Sequence, residues 1–91
     1  YTIAAYWFRL AAEQGDVSAQ FNLGNLYFDG FGVEKNYLQS YVWLKVAANR
    51  GSEEARNNSD IAYEKLNRYE RNQKSWRQVT RCQRSEYKDC E

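Results

Sequence analysis

Residues 21–48, FNLGNLYFDGFGVEKNYLQSYVWLKVAA, decide the fold of this chain. Apolar residues recur every three or four positions in two blocks, which indicates two amphipathic helices. Gly30 and Gly32 separate the blocks, as glycines do in turns. Asn36 and Gln39 then have the spacing of a capping box that opens the second helix. The stretch therefore predicts a helical hairpin.

The hairpin belongs to a repeat with a period of 36 residues. At this offset identical residues coincide: Trp7 with Trp43, Ala11 and Ala12 with Ala47 and Ala48, Gly15 with Gly51, Ala19 with Ala55, and Tyr27 with Tyr63. Alanine pairs let helices approach closely, and glycine ends a helix in a left-handed conformation. We therefore predict an all-α, α-α solenoid of about five helices, near 2–14, 17–28, 37–49, 53–66 and 68–84.

The chain is predicted to be one solenoid fragment spanning 1–91. We divide it into a half repeat at 1–15, a complete repeat at 16–51, and a degenerate capping repeat with a C-terminal tail at 52–91. The last unit lacks the glycine turn, and its register slips by one residue. Its fifth helix should open with a capping box at Asn67 and Glu70. That helix has a thin apolar side of Tyr69, Trp76, Val79 and Cys82. A solenoid needs such a polar terminal cap.

Composition narrows the function. The 91 residues carry 13 basic and 12 acidic side chains and no histidine, which is the commonest general base and metal ligand. The chain therefore lacks the side chain most often used for general-base catalysis and for metal binding. A zinc site would need more ligands than two cysteines supply. No apolar run reaches the length of a membrane span, and no secretory signal is present.

The repeat resembles the Sel1-like repeat, a relative of the tetratricopeptide repeat with two antiparallel helices per unit. The resemblance covers residues 4–55. It is carried by Ala4, Trp7, Ala11, Ala12, Gly15, Ala19, Leu23, Gly24, Tyr27, Gly30, Gly32 and Val33. It implies an α-solenoid that acts as an adaptor for another protein or peptide, and with it we expect no enzyme activity, no catalytic residue and no cofactor. It also implies a bacterial protein of the envelope or secreted space, with roles such as host-factor binding, envelope scaffolding or toxin immunity.

The resemblance also suggests where a partner binds. In this family the first helix of each repeat lines the concave surface, so the second helix of this chain should present its outward residues there. We predict partner contacts at Gln20, Asn25, Phe28 and Asp29, with Phe28 as an aromatic anchor. The alternative for Phe28 is packing against the preceding repeat. Tyr1, Tyr6 and Phe8 are expected to be exposed, and this face could also support self-association.

Cys82 and Cys90 are separated by seven residues. This gap resembles the intra-repeat disulfides of cysteine-rich Sel1 proteins, and a chain that folds back after Cys82 would bring the two sulfurs together. The resemblance implies a Cys82–Cys90 disulfide and hence a periplasmic or secreted location, since disulfides persist in oxidising compartments. Two free thiols in a frayed tail remain the alternative.

A basic stripe should run along the fifth helix, because its cations are spaced three or four residues apart. The stripe consists of Arg71, Lys74, Arg77, Arg81 and Arg84. It offers a secondary surface for an acidic partner. The alternative is the solvated face of a capping helix. The near-neutral net charge of +1 argues against nucleic acid.

Two other functions remain open. Ser85 and Lys88 match the Ser-x-x-Lys pattern of penicillin-interacting enzymes, and some cysteine-rich Sel1 proteins have been linked to β-lactam binding. The pattern has only two fixed residues, and no supporting motif follows it. The second possibility is a purely structural capping segment without a partner of its own.

Overall fold

The computed structural model describes residues 2–68, 70–71 and 75–91 of the chain. Five α-helices follow one another in this part: α1 Thr2–Glu13, α2 Val17–Asp29, α3 Tyr37–Asn49, α4 Glu53–Glu64 and α5 Ser75–Arg84. Helix α1 packs against α2, α2 against α3, and α3 against both α4 and α5. The predicted all-α solenoid of helix pairs is confirmed, and the bounds of the first four helices agree with the prediction to within two residues.

The side chains that precede α2, α3 and α4 cap those helices. Asp16, Asn36 and Ser52 each accept a hydrogen bond from the backbone N–H three residues on, at 2.9, 3.1 and 3.2 Å. These bonds satisfy donors that a helix start leaves free. The capping box predicted at Asn36 is only half formed, because the Asn36 N–H donates to the Tyr27 carbonyl at 3.0 Å and not to Gln39.

Helix α3 is the centre of the fold. Its buried residues are Gln39, Ser40, Val42, Trp43, Leu44, Val46, Ala47 and Ala48. This set includes Trp43, Ala47 and Ala48, which recur in the repeat. It is larger than one helical stripe because α3 packs against α2, α4 and α5. Burying one large apolar side chain contributes about 1.5–3 kcal/mol, so α3 holds much of the apolar stabilisation.

A glycine sets the distance between α2 and α3. A Cβ atom added to Gly24 would lie 2.6 Å from Cγ of Leu44 and 3.3 Å from its backbone nitrogen. Leu44 is fully buried. The two helices can therefore approach this closely only because position 24 has no side chain.

The capping box at the start of the last unit is confirmed. The Asn67 N–H donates to Glu70 Oε1 at 3.2 Å, and the Glu70 N–H donates to Asn67 Oδ1 at 2.8 Å. The prediction of one helix over 68–84 includes positions 69 and 72–74, which lie outside the described residues. The helix described after them, α5, ends at Arg84 as predicted.

Trp76 does not lie on the apolar side of α5, contrary to the prediction. It is 72% exposed, whereas Ser75, Val79 and Cys82 are buried. Residues 75, 79 and 82 follow the helical period, so they share one face, and position 76 lies about a quarter turn away. Ser75, and not its neighbour Trp76, therefore lies on the buried face of α5.

Helix α1 has one covered face and one open face. Ala5, Phe8 and Ala12 are on the covered face, where Phe8 packs against the core. The prediction that Phe8 is exposed is wrong, because it lies three and four residues from these buried alanines. Tyr6 is 58% and Trp7 61% exposed, as expected of Tyr6. Position 1 lies outside the described residues.

Candidate partner-binding surfaces

Three of the four predicted contact residues meet at an open groove between α2 and α4. The groove has a volume of about 320 Å³ and is lined by Asn25, Phe28, Asp29, Leu44, Asn58 and Ile61. We call it the α2–α4 groove. Leu44 is fully buried beneath it, and Ile61 is 48% exposed at its wall. The groove thus combines an apolar floor with polar residues.

Two amides bridge the α2–α4 groove. Asn58 Nδ2 donates to Asn25 Oδ1 at 3.0 Å, so α2 and α4 are tied together here. This bond uses neither the amide N–H groups of Asn25 nor the amide oxygen of Asn58. A peptide backbone presents the matching acceptor and donor.

Phe28 packs against the helices that follow it in the chain, and its role as a partner contact stays a prediction. Its ring meets Tyr37 edge to face, with centroids 5.3 Å apart, and it packs on the core around α3 and α4. The ring is nevertheless only partly buried and lines the α2–α4 groove. Its packing therefore fixes the orientation of the surface that it presents.

Gln20 is not part of this surface. It is fully buried, and its Nε2 donates to the Ala12 carbonyl at 3.1 Å. Its position precedes Leu23 and Gly24 by three and four residues, so it lies on the same buried side of α2. The contact predicted for Gln20 is corrected accordingly: the side chain links α2 to α1 and does not face the α2–α4 groove.

The predicted basic stripe is divided. Arg71 turns back onto the end of α4, where its Nε and Nη2 donate to the Tyr63 and Glu64 carbonyls at 3.1 and 2.7 Å. It therefore caps a helix, as basic side chains often do at C-termini. Lys74 lies outside the described residues.

The remaining cations, Arg77, Arg81 and Arg84, are exposed on α5 around a depression of about 530 Å³ beside Trp76. Arg81 is paired with Asp89, with 3.3 Å between Nε and Oδ2. An exposed ion pair of this kind contributes little to stability. We call Arg77, Arg81 and Arg84 the basic surface.

The Cys82–Cys90 disulfide is confirmed, with Cα atoms 4.3 Å apart and both residues buried. The serine–lysine pattern between the cysteines is not assembled as a nucleophile and base. The Ser85 hydroxyl donates to the Cys82 carbonyl at 3.0 Å and accepts the Asp89 N–H at 2.9 Å. Lys88 Nζ donates to the Glu13 carbonyl at 3.1 Å. These two polar groups serve to fix the tail.

The sequence did not indicate one polar cluster, which forms where the tail meets the first three helices. Glu91 accepts hydrogen bonds from Tyr27 Oη at 2.6 Å and Trp43 Nε1 at 3.2 Å, and Arg9 Nη2 lies 3.1 Å from its Oε1. Tyr27 and Trp43 recur in the repeat, which gave no indication of a polar partner. No local signal connects them to a glutamate 64 and 48 residues away.

Burial and the neighbouring carboxylate alter two groups in this cluster. Burial, together with the hydrogen bond and charge of Glu91, raises the pKa of Tyr27 to about 12. Desolvation lowers the pKa of Arg9, but the Glu91 carboxylate and the Tyr27 hydroxyl outweigh it, so that the pKa is raised overall. The phenol therefore remains a donor, and the guanidinium a cation, throughout the neutral range.

Other kinds of site receive no support from the residues that the structure describes. Among them, no group of three or more acidic or cysteine side chains is placed to hold a metal ion. The described helices are also too short and too polar for any of them to cross a membrane.

Comparison with known proteins agrees with the architecture. The Sel1 repeat family matches residues 1–16 and 17–52. An uncharacterized Sel1-like repeat-containing protein of Schizosaccharomyces pombe is 43% identical over 42 residues, which are 46% of this chain and 6% of that protein. A putative Sel1-like repeat-containing protein of Acanthamoeba polyphaga mimivirus is 36% identical over 44 residues, 48% of this chain and 8% of that protein.

The aligned segments span less than a tenth of either relative. No solved structure matches the chain. The family match covers more than half of the residues, and its two segments contain the glycines, alanines and tryptophans that build the first three helices. On this ground the chain belongs to the Sel1 repeat family.

Proposed function

We propose that this chain is part of a protein-interaction scaffold, and that the α2–α4 groove binds a peptide segment of the partner. The observation that carries the proposal is the convergence of Asn25, Phe28 and Asp29 with Asn58 and Ile61 around one open groove. Membership of the Sel1 repeat family supports the scaffold role. The groove adds a specific place for the contact.

The lining of the groove indicates the chemistry of the peptide. Phe28, Leu44 and Ile61 form an apolar bed that would receive one apolar side chain. The amides of Asn25 and Asn58 face the peptide backbone. Asp29 is exposed at the rim and would favour a basic residue beside the apolar anchor.

The scaffold supports binding because it is already ordered. The groove is built on three helices, and its floor residue Leu44 belongs to the buried central helix α3. The Asn58–Asn25 bond further fixes α4 to α2. A peptide would therefore not have to order the receptor, which reduces the entropic cost of association.

A random peptide library displayed on phage and selected on the full chain tests this proposal. Recovered peptides should share an apolar residue and should bind Ile61→Lys at least about tenfold more weakly than the wild type. Ile61 is half exposed, so the change should leave the helix content intact in circular dichroism. Trp76→Lys on α5 is the matched control and should bind normally. Equal binding by Ile61→Lys would contradict the groove assignment.

The compartment is a second part of the proposal. We infer a periplasmic or secreted location from the Cys82–Cys90 disulfide, which an oxidising compartment would preserve, and we propose a bacterial source from the family resemblance alone. Rapid alkylation of the protein in its native cells, followed by thiol counting under denaturing conditions, provides the test. Two alkylated thiols would contradict this location, and the absence of any alkylated thiol would support it.

The remaining predictions are carried forward as proposals. We retain the division into 1–15, 16–51 and 52–91, and we retain the basic surface as a secondary contact for an acidic partner.

The open face of α1, where Ile3 is 74% exposed beside Trp7, supports self-association. Sedimentation of the wild type and of Trp7→Lys tests the last point. A wild type that stays monomeric at high concentration would refute it.

A further inference from the structure

The Glu91 side chain is held by three donors from three different helices. Tyr27 Oη on α2 donates to Oε1 at 2.6 Å, and Arg9 Nη2 on α1 lies 3.1 Å from the same oxygen. Trp43 Nε1 on α3 donates to Oε2 at 3.2 Å. Both carboxylate oxygens are therefore bound. Charge-assisted bonds of this kind are the stronger hydrogen bonds of proteins.

These donors are positioned by the scaffold and not by the tail. Tyr27 is 6% and Trp43 1% exposed, so packing fixes both rings. Arg9 Nη2 also donates to Tyr27 Oη at 2.7 Å, which orients the phenol toward the carboxylate. Without a carboxylate the buried Trp43 N–H would lose the acceptor that it has here. The three side chains thus form a receptor for a carboxylate.

The receptor opens onto the surface. Arg9, Tyr27 and Glu91 border an open depression of about 510 Å³ that continues along residues 33–36 to Gln39. Two buried polar atoms at its edge, Arg9 Nε and Gln39 Oε1, have no hydrogen-bond partner among the described residues. A longer ligand would find both space and polar groups beside the bound carboxylate.

Glu91 is supplied to the receptor by a fixed tail. The preceding residue, Cys90, is joined to Cys82 of α5, and its carbonyl accepts a hydrogen bond from Gln78 Nε2 at 2.9 Å. Ser85 and Lys88 hold the turn before it. A group tied so closely has a high effective concentration at its site and excludes weak competitors.

We propose that Arg9, Tyr27 and Trp43 form a carboxylate site, which Glu91 fills within the chain and which an acidic side chain of a partner protein fills when Glu91 is withdrawn. The tail then acts as an internal competitor for the partner. Binding of a partner's acidic side chain rests on the proposed scaffold function, whereas the existence of the carboxylate site does not.

The indole N–H resonance of Trp43 in a proton–nitrogen correlation spectrum of the full chain reports on this site. Trp7→Phe and Trp76→Phe identify the other two indole resonances, since both side chains are exposed. Glu91→Ala should shift the Trp43 resonance and leave those of Trp7 and Trp76 in place. An unchanged Trp43 resonance would overturn the proposal.

The peptide acetyl-Gly-Ser-Glu-Ser-Gly-amide is the probe for the partner's side chain, and its glutamine counterpart is the control. In Glu91→Ala the glutamate peptide should return the Trp43 resonance toward its wild-type position at millimolar concentration. The wild type should require at least about tenfold more peptide, because Glu91 competes. An equal response to both peptides, or no response to either, would overturn the partner-binding step.

Two variants separate this result from folding defects and from the α2–α4 groove. Adding Arg9→Met to Glu91→Ala should abolish the response to the glutamate peptide while the Trp7 resonance keeps its position. A retained response would contradict the role of Arg9. Adding Phe28→Ala to Glu91→Ala should leave the response of the Trp43 resonance to the glutamate peptide unchanged. The groove proposal can therefore fail while the carboxylate site holds, and the carboxylate site can fail while the groove proposal holds.

Discussion

Replacing Gly24 by alanine should destabilise the protein, although alanine is the better helix former. The new Cβ would lie 2.6 Å from Cγ, 2.9 Å from Cδ2 and 3.3 Å from the backbone nitrogen of Leu44. Carbon atoms in favourable contact are about 3.5–4.0 Å apart. Either the Leu44 side chain or the whole of α3 must therefore move by roughly 1 Å.

Two terms of opposite sign decide the magnitude. An alanine in place of glycine inside a helix gains about 0.8–1.0 kcal/mol from propensity alone. Overpacking a core costs about 1–3 kcal/mol. Leu44 is fully buried, and the new Cβ would crowd its backbone nitrogen as well as its side chain, so the cost should fall in the upper half of that range. The net loss of unfolding free energy should therefore be about 1–2 kcal/mol.

Thermal unfolding followed by far-ultraviolet circular dichroism measures this loss. In a domain of this size each kcal/mol shifts Tm by about 4–8 °C, so Gly24→Ala should lower Tm by roughly 4–16 °C. Ser18→Ala is the matched control in the same helix. Ser18 is exposed, so its replacement should change Tm little.

A double-mutant cycle with Leu44→Ala locates the cause. Leu44→Ala alone should cost about 2–5 kcal/mol. In the Gly24→Ala background it should cost at least about 1 kcal/mol less, because the new methyl group occupies part of the vacated space. A Gly24→Ala protein as stable as the wild type, or additive effects in the cycle, would refute the close approach of α2 and α3.

Reduction of the Cys82–Cys90 disulfide should lower the free energy of unfolding by about 2.6 kcal/mol, since it closes a loop of about nine residues; a denaturant midpoint unaffected by reductant would contradict this. The pKa of Tyr27 is raised to about 12 in the folded protein, so its stabilisation is complete below about pH 10 and is lost as the pH rises toward 12. Wild type should thus lose more stability over that window than Tyr27→Phe, and parallel curves would be the negative result. Arg71→Met should cost about 1–2 kcal/mol in chemical denaturation by removing two bonds to α4 carbonyls, whereas Arg77→Met should cost nearly nothing; equal effects would place both arginines in the same role.

The sequence predicted the first four helices because their signals are local. A cap residue such as Asp16 or Ser52 and a glycine such as Gly30 act within one turn of chain. The repeat supplied further information, since Trp43 and the alanines of α3 occupy positions that the period of 36 marks as packed. Asn25, Phe28 and Asp29 were predicted as contacts because they are outward residues of α2; the structure brings them to one groove, and their role in binding stays a prediction.

The failures share a different physical origin. Gln20 was predicted to lie on a surface, but it is fully buried and its Nε2 donates to a carbonyl of α1, eight residues away. Arg71 was assigned to a stripe by its spacing, but its partners are carbonyls of α4. Trp76 was assigned to the core by its hydrophobicity, although Ser75 takes the buried position. In each case tertiary packing decides where the side chain lies, and the periodicity of the sequence does not encode that packing.

The two proposed sites share α2 but lie on different sides of it. Tyr27 is buried beside α1 and α3, and Phe28, one residue on, points about 100° away into the α2–α4 groove. A ligand in either site therefore does not touch the other. Any coupling between them must pass through movement of α2 against α3, and the Gly24–Leu44 contact limits that movement because interiors are close-packed. If Gly24→Ala shifts the helices, peptide binding and the Trp43 resonance should change together, whereas Ile61→Lys should change peptide binding alone.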